Sequence, residues 1–207
     1  MSLLKIIQML EFLKIKSFVI KKILQLKGIK VGKNFVCKEF PNLRVEGENS
    51  NIVISDNVKI LGKIDLRNRG QGKIIISNNV KIEEWVRIVT GSDNSITIDE
   101  NTIVTRGNII NGGGTVYIGK NCIIGPYNII NANDHRIFIK DKIIDRKFIY
   151  GDVIIEDNCW TGAFTSIAKN VIIKEGSVIG AHSFVNKNTE KLSVNFGVPS
   201  KMFKYRD

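Results

Sequence analysis

Two histidines occur in the 207 residues, His135 in "INANDHRIF" and His182 in "IGAHSF", and they bound the proton chemistry the chain can carry. An imidazole ordinarily titrates near pH 6.5, so it can take up and return a proton at neutral pH. Asp134 adjoins His135 but points away too easily to serve as a dyad partner, and a backbone carbonyl could orient the ring instead. By its surroundings alone, His135 is as much a solvated loop residue as a proton carrier. Cys37, Cys122 and Cys159 are odd in number, far apart and free of any CxxC pair. Neither a disulfide framework nor a thiolate zinc site is indicated, and two histidines cannot supply a three-histidine zinc centre. No metal is expected.

What positions His135 is a repeat. Every sixth residue reads Ile54, Ile60, Leu66; Ile76, Ile82, Ile88; Ile98, Val104, Ile110; Ile118, Ile124, Ile130; and, after a gap, Ile155, Thr161, Ile167, Ile173, Ile179, Val185. All but Thr161 are Ile, Val or Leu. A period of six fits neither a helical face nor one long alternating strand, so each unit should be a short strand and a turn. The turns end in Asn57, Asn79, Asn101, Asn121 and Asn158, residues that tolerate left-handed backbone. The fourth place after an anchor is compact, as at Val58, Val80, Thr102, Cys122, Cys159, Thr165 and Ser177, which suits a narrow interior. Small apolar filling is the plainer reading of those two cysteines.

Three units make one triangular coil, and stacked coils bury the isoleucines in a column: a parallel β-helix. The extra residues of each coil fall at "RNRGQG", "TGSDNS" and "NGGG", and an earlier coil starts near Val31 in "VGKNFV". Between Ile118 and Ile155 the surplus must leave the stack as a loop, residues 131–152, and loops of that length in compact domains tend to be functional. His135 stands at its root.

The hexads "IEDNCW TGAFTS IAKNVI IKEGSV IGAHSF" followed by "GVPSKMFK" resemble the hexapeptide-repeat acyltransferases, in the branch of galactoside, xenobiotic and capsule or lipopolysaccharide O-acetyltransferases. The resemblance covers residues 31–205. It implies a left-handed β-helix, a homotrimer, and acetyl-CoA bound in a groove between neighbouring stacks. "NDHRIF" then makes His135 the general base. "WTG" gives Trp160 and Gly162 as groove residues, with the Ala163 N–H as oxyanion donor and Trp160 also facing the acceptor. Gly180 and Ala181 adjoin the same cofactor groove, and "GVPSK" brings Lys201 to the cofactor's phosphates. "RGNIING" resembles an acceptor-binding segment, with Asn108 the first choice and Asn111 the second; Asn133 is the other acceptor residue. Two departures stand out: Thr161 at an inward aliphatic position and His182 where glycine is common. The plainer alternatives are surface packing for Trp160, a solvated cation for Lys201 and a structural or groove-lining role for His182.

The expected organisation is an N-terminal amphipathic helix over residues 1–28, the β-helix over 29–190, and a tail over 191–207 that contributes to the CoA site. Residues 1–28 hold six lysines and one glutamate among apolar residues. That segment either lies on an anionic membrane or caps the first coil. The chain as a whole has a formal net charge of +11, which suits an anionic partner. Nucleic acid is not expected, because neither a stacking platform nor a recognition motif is visible. No apolar run reaches the roughly 18 residues that span a bilayer, and the N-terminus lacks the order of a secretory signal. A reducing cytoplasmic setting follows, with peripheral contact at the inner membrane face open. The leading expectation is an O-acetyltransferase acting on a surface-glycan hydroxyl; an amino-sugar N-acetyltransferase and an inert β-helix scaffold are the alternatives.

Overall fold

A computed structural model of the chain describes residues 2–91, 93–137, 142, 144 and 147–206. It is an all-β left-handed parallel β-helix of seven coils with, among the described residues, one α-helix, α1 (Leu3–Leu26), at its base. The first face stacks Lys30–Val31, Ile52–Ile54, Ile74–Ile76, Ile96–Ile98, Val116–Ile118, Val153–Ile155 and Val171–Ile173. The second face runs from Val36–Cys37 up to Val178–Ile179, then adds Ser193–Phe196 in parallel and Lys201–Tyr205 antiparallel. The third runs from Asn42–Val45 to Phe184–Val185.

Register follows the hexad. Ile54, Ile76, Ile98, Ile118, Ile155 and Ile173 lie directly above one another on the first face. Every anchor of the repeat is buried, as is each compact fourth-place residue named above. All five expected corner asparagines hold φ between 56° and 60°, joined by Asn34 at the base. Left-handed backbone at this corner is what turns the chain from the first face to the second.

The helix caps the first coil, one of the two roles expected of it. Ile20 and Leu24 bury onto the first coil. Ser17 Oγ accepts the Cys37 N–H, Gln25 Nε2 donates to the Val31 carbonyl and Lys21 Nζ to that of Gly32. These bonds satisfy the bottom edge strands, which would otherwise offer free backbone groups. Phe12, Ile15, Phe18 and Leu26 remain exposed, so α1 is apolar on more than the face it packs with. At the other end Asn188 Oδ1 and Thr189 Oγ1 accept the N–H groups of Ile172 and Lys174, covering the top of the first face.

The extra residues of the coils gather at the corner between the third and first faces. From it an antiparallel hairpin departs, Asn133–His135 paired with Phe148–Tyr150. Of the expected loop 131–152, residues 138–141, 143, 145 and 146 lie outside the described residues. The expected boundary at 190 falls within the last coil, because Ser193–Phe196 continues the second face.

Candidate active site

The hairpin places His135 outside the prism. The imidazole is exposed and packs on the Phe148 ring opposite it, centroids 4.5 Å apart, and Phe148 in turn stacks on Tyr150. Asp134 turns to Lys169, 3.6 Å away, and its Oδ1 accepts the His135 backbone N–H rather than orienting the ring. Beneath the hairpin a cavity of about 560 Å³ opens against the third face, its lining including Arg69, Arg87, Asn111, Asn133, Phe148 and Tyr150. The φ of Gly113 is +130°, and a Cβ there would lie 2.7 Å from the Tyr150 ring, so only glycine lets the ring lie on the coil.

Asn108 is not on this surface, which corrects its expected role as an acceptor ligand. Its side chain is fully buried, Nδ2 donating to the Thr105 and Gly125 carbonyls while Oδ1 accepts the Asn128 N–H. The signal was in the rhythm: 108 is the fourth place after the Val104 anchor, an inward position. Asn111, the second choice, lines the cavity. Asn108 opens a polar ladder inside the coils. Asn128 Oδ1 accepts the Thr165 N–H, and Asn128 Nδ2 donates to Thr161 Oγ1 at 2.7 Å. Thr161, the odd anchor of the repeat, is therefore the hydrogen-bond partner of a buried amide.

Trp160 lies on the outer second face, half exposed, between Ile123 below and Val178 above. Arg206, which sequence reasoning missed, lines the same groove and donates Nη1 to the Gly176 carbonyl. Beside Trp160, Gly125, Gly162 and Gly180 stack in successive coils and leave a strip bare of side chains. A Cβ on Gly162 would come within 2.5 Å of the Ala181 nitrogen. Gly162 N–H is spent on the Ile179 carbonyl, whereas the Ala163 N–H makes no hydrogen bond to another described residue. Lys201 borders the neighbouring depression formed with Phe196, Pro199 and Met202. Trp160, Gly162, Ala163, Gly180 and Ala181 thus share one region of adjoining coils. His135, on the corner across the prism from the second face, is not brought to them within one chain.

The corner between the second and third faces carries a feature the sequence reading missed. Trp85, Tyr127, Phe164 and His182 occupy it with φ between 57° and 62°, all exposed. Tyr127 stacks on Phe164 and Phe164 on His182, with centroids 5.2 and 5.0 Å apart. Each sits three places after an anchor, a spacing visible in the chain. The fold therefore does build a stacking column, which the linear motifs had not suggested. The three thiols are buried and free. Burial pushes the Cys37 thiol up to about 12, and the hydrogen bond between Cys159 and Cys122, together with burial, raises Cys159. Among the described residues no three His, Cys, Asp or Glu side chains gather as a metal site.

Comparison with known proteins agrees with this architecture. The family model described as bacterial transferase hexapeptide (six repeats) matches residues 152–187. A Mycobacterium tuberculosis protein named as a probable acetyltransferase is 27% identical over 61% of this chain, a match spanning 44% of that protein's length. The Escherichia coli dTDP-4-amino-4,6-dideoxy-D-glucose acyltransferase is 26% identical over 74% of this chain and 81% of its own. Among solved structures, AntD, an N-acyltransferase from Bacillus cereus, in complex with dTDP and 3-hydroxybutyryl-CoA, is 21% identical. It covers 90% of this chain and 88% of its own at a TM-score of 0.62. The polysialic acid O-acetyltransferase OatWY is 24% identical over 85% of this chain and 87% of its own, TM-score 0.59. The match to the bacterial transferase hexapeptide model falls on the last two full coils, and the same hexad runs through the coils below them.

Proposed function

We propose that the protein is an acetyl-CoA-dependent acyltransferase that esterifies a hydroxyl of a surface glycan, of capsule, lipopolysaccharide or O-antigen type, or of its precursor. His135 takes the hydroxyl proton as the oxygen attacks the thioester carbon. The Ala163 N–H holds the resulting oxyanion. As the tetrahedral centre collapses, the carbon–sulfur bond breaks and the imidazolium returns its proton to the departing thiolate. No side-chain nucleophile is needed. Trp160 and the strip of Gly162, Gly180 and Ala181 receive the cofactor's chain, with Lys201 toward its phosphates, and Asn111, Asn133 and Trp160 face the acceptor.

The observation that carries this reading is the unspent Ala163 N–H beside the bare glycine strip, on a stack that also projects a histidine. His135 and Ala163 lie on different corners of one prism, which supports a homotrimer whose sites are completed between copies. The relatives named as sugar acyltransferases support the sugar acceptor and the acyl-CoA donor. The name of the E. coli relative, an amino-sugar acyltransferase, favours amide formation as the second reading. A cytoplasmic setting suits acetyl-CoA chemistry, and the exposed apolar side chains of α1 beside its lysines support contact with an anionic membrane.

The test is calorimetric titration of acetyl-CoA into wild type and His135→Ala, followed by CoA release against hydroxyl and amine glycans. Cofactor binding by both proteins, with turnover by wild type alone, is expected. Absence of cofactor binding by wild type would hand the fold to the scaffold reading.

A further inference from the structure

The cavity beneath the hairpin holds more positive charge than the fold uses. Arg69 and Arg87 both line it, and neither guanidinium has an ion-pair partner among the described residues. Arg87 Nε is shielded from solvent and bonded to none of the described residues. A buried donor left this way calls for an acceptor from outside the chain. The carboxylate in register with Arg87 is already committed: Asp65 receives Nε and Nη2 of Arg67 on Oδ2 and Asn42 Nδ2 on Oδ1. Glu46, the one carboxylate among the described residues of the lining, pairs with neither arginine, so among those residues two cations face one anion across the space.

The part of the lining contributed by the hairpin is aromatic. Tyr150 and Phe148 lie nearly parallel, 14° between their planes, and Phe148 carries the His135 ring on its edge of the hairpin. A ligand whose acidic group met the arginines and whose ring lay along Tyr150 and Phe148 would extend toward His135. An arginine fork recognises carboxylate or phosphate through paired, charge-assisted hydrogen bonds, which a neutral sugar cannot accept with equal strength.

We propose that Arg69 and Arg87 bind an oxyanion of the acceptor, a carboxylate or a phosphate, so that the protein selects acidic sugars over neutral ones. This deepens the acyltransferase reading and rests on it for the word acceptor, but the binding itself is measured without any acyl donor.

The experiment is a ligand-observed NMR titration of the full chain with N-acetylneuraminic acid and glucuronic acid as carboxylate probes, glucose 1-phosphate and UDP as phosphate probes, and methyl glucoside as the neutral reference. Wild type is expected to bind at least one acidic probe about tenfold more tightly than the neutral one. The arm that responds identifies the oxyanion. The double variant Arg69→Gln with Arg87→Gln should lose the preference, and Arg87→Lys should keep part of it, since the charge stays and the fork goes. Acetyl-CoA titration of both variants, unchanged from wild type, shows that the coils are intact. Equal affinity for acidic and neutral probes, or a preference that survives the double substitution, overturns the proposal. Failure of wild type to bind acetyl-CoA removes the acyltransferase reading and leaves the anion result standing by itself.

Discussion

The imidazole of His135 rests 4.5 Å from the ring of Phe148, centroid to centroid, across the paired strands of the hairpin. The contact fixes the ring plane where no carboxylate among the described residues does, because Asp134 is turned to Lys169. Phe148→Leu should keep the apolar bulk but release the imidazole. We expect kcat to fall about 10- to 100-fold with acetyl-CoA affinity unchanged, against about 10²- to 10⁴-fold for His135→Ala. Steady-state kinetics beside calorimetry separates the two effects, and an unchanged kcat would deny Phe148 any positioning role.

Inside the coils, Thr161→Val should strand the Asn128 amide that now reaches Thr161 Oγ1. The shape is conserved and the acceptor is lost, so a destabilisation of about 1–3 kcal/mol is expected in denaturant unfolding. Thr161→Ser, which keeps the oxygen, should cost less than Thr161→Val. The reverse order would show that packing rather than hydrogen bonding governs this anchor.

On the outer surface Lys174 Nζ donates to Glu156 Oε1 at 2.9 Å, and the Glu175 N–H donates to Oε2. These bonds hold the Glu156 carboxyl below its usual range. A depressed carboxyl contributes stability above the unfolded value, about 4.3, and loses it as pH falls through the folded one. Melting temperatures from pH 7 to 3 should therefore converge between wild type and Glu156→Gln at the acid end, with wild type higher at neutral pH. Solvent exposure of the pair keeps the difference small.

The exposed face of α1 makes a membrane prediction. Phe12, Ile15 and Phe18 are each 60–66% exposed beside Lys14, Lys16 and Lys22, while Ile20 and Leu24 hold the coil. Changing those three apolar residues to serine should abolish flotation with phosphatidylglycerol vesicles and leave the melting temperature unaltered, because the capping contacts remain. Equal binding to neutral and acidic vesicles would contradict the lysine contribution.

Much of this is legible in the sequence. The anchors, the corner asparagines and the departure point of the hairpin all follow from one spacing, since a six-residue repeat dictates which side chains face inward. The same spacing would have placed Asn108 indoors. The resemblance to sugar acetyltransferases overrode it, and the repeat was the better guide. Arg69, Arg87 and Tyr150 could not be joined in advance, because they come from different coils and from a hairpin whose lean over the third face depends on packing. The aromatic column escaped notice for another reason. Left-handed corners are ordinarily read from asparagine and glycine, and bulky residues at positive φ carry no composition signal.

The two covered ends of the stack have a further consequence. Parallel strands in exact vertical register are a template that another molecule could extend without limit, and nothing in the repeat itself sets a length. Here α1 occupies the bottom edge through Ser17, Lys21 and Gln25, and Asn188 with Thr189 takes the upper edge of the first face. The molecule is thus kept from growing into a fibre by side chains that belong to no hexad.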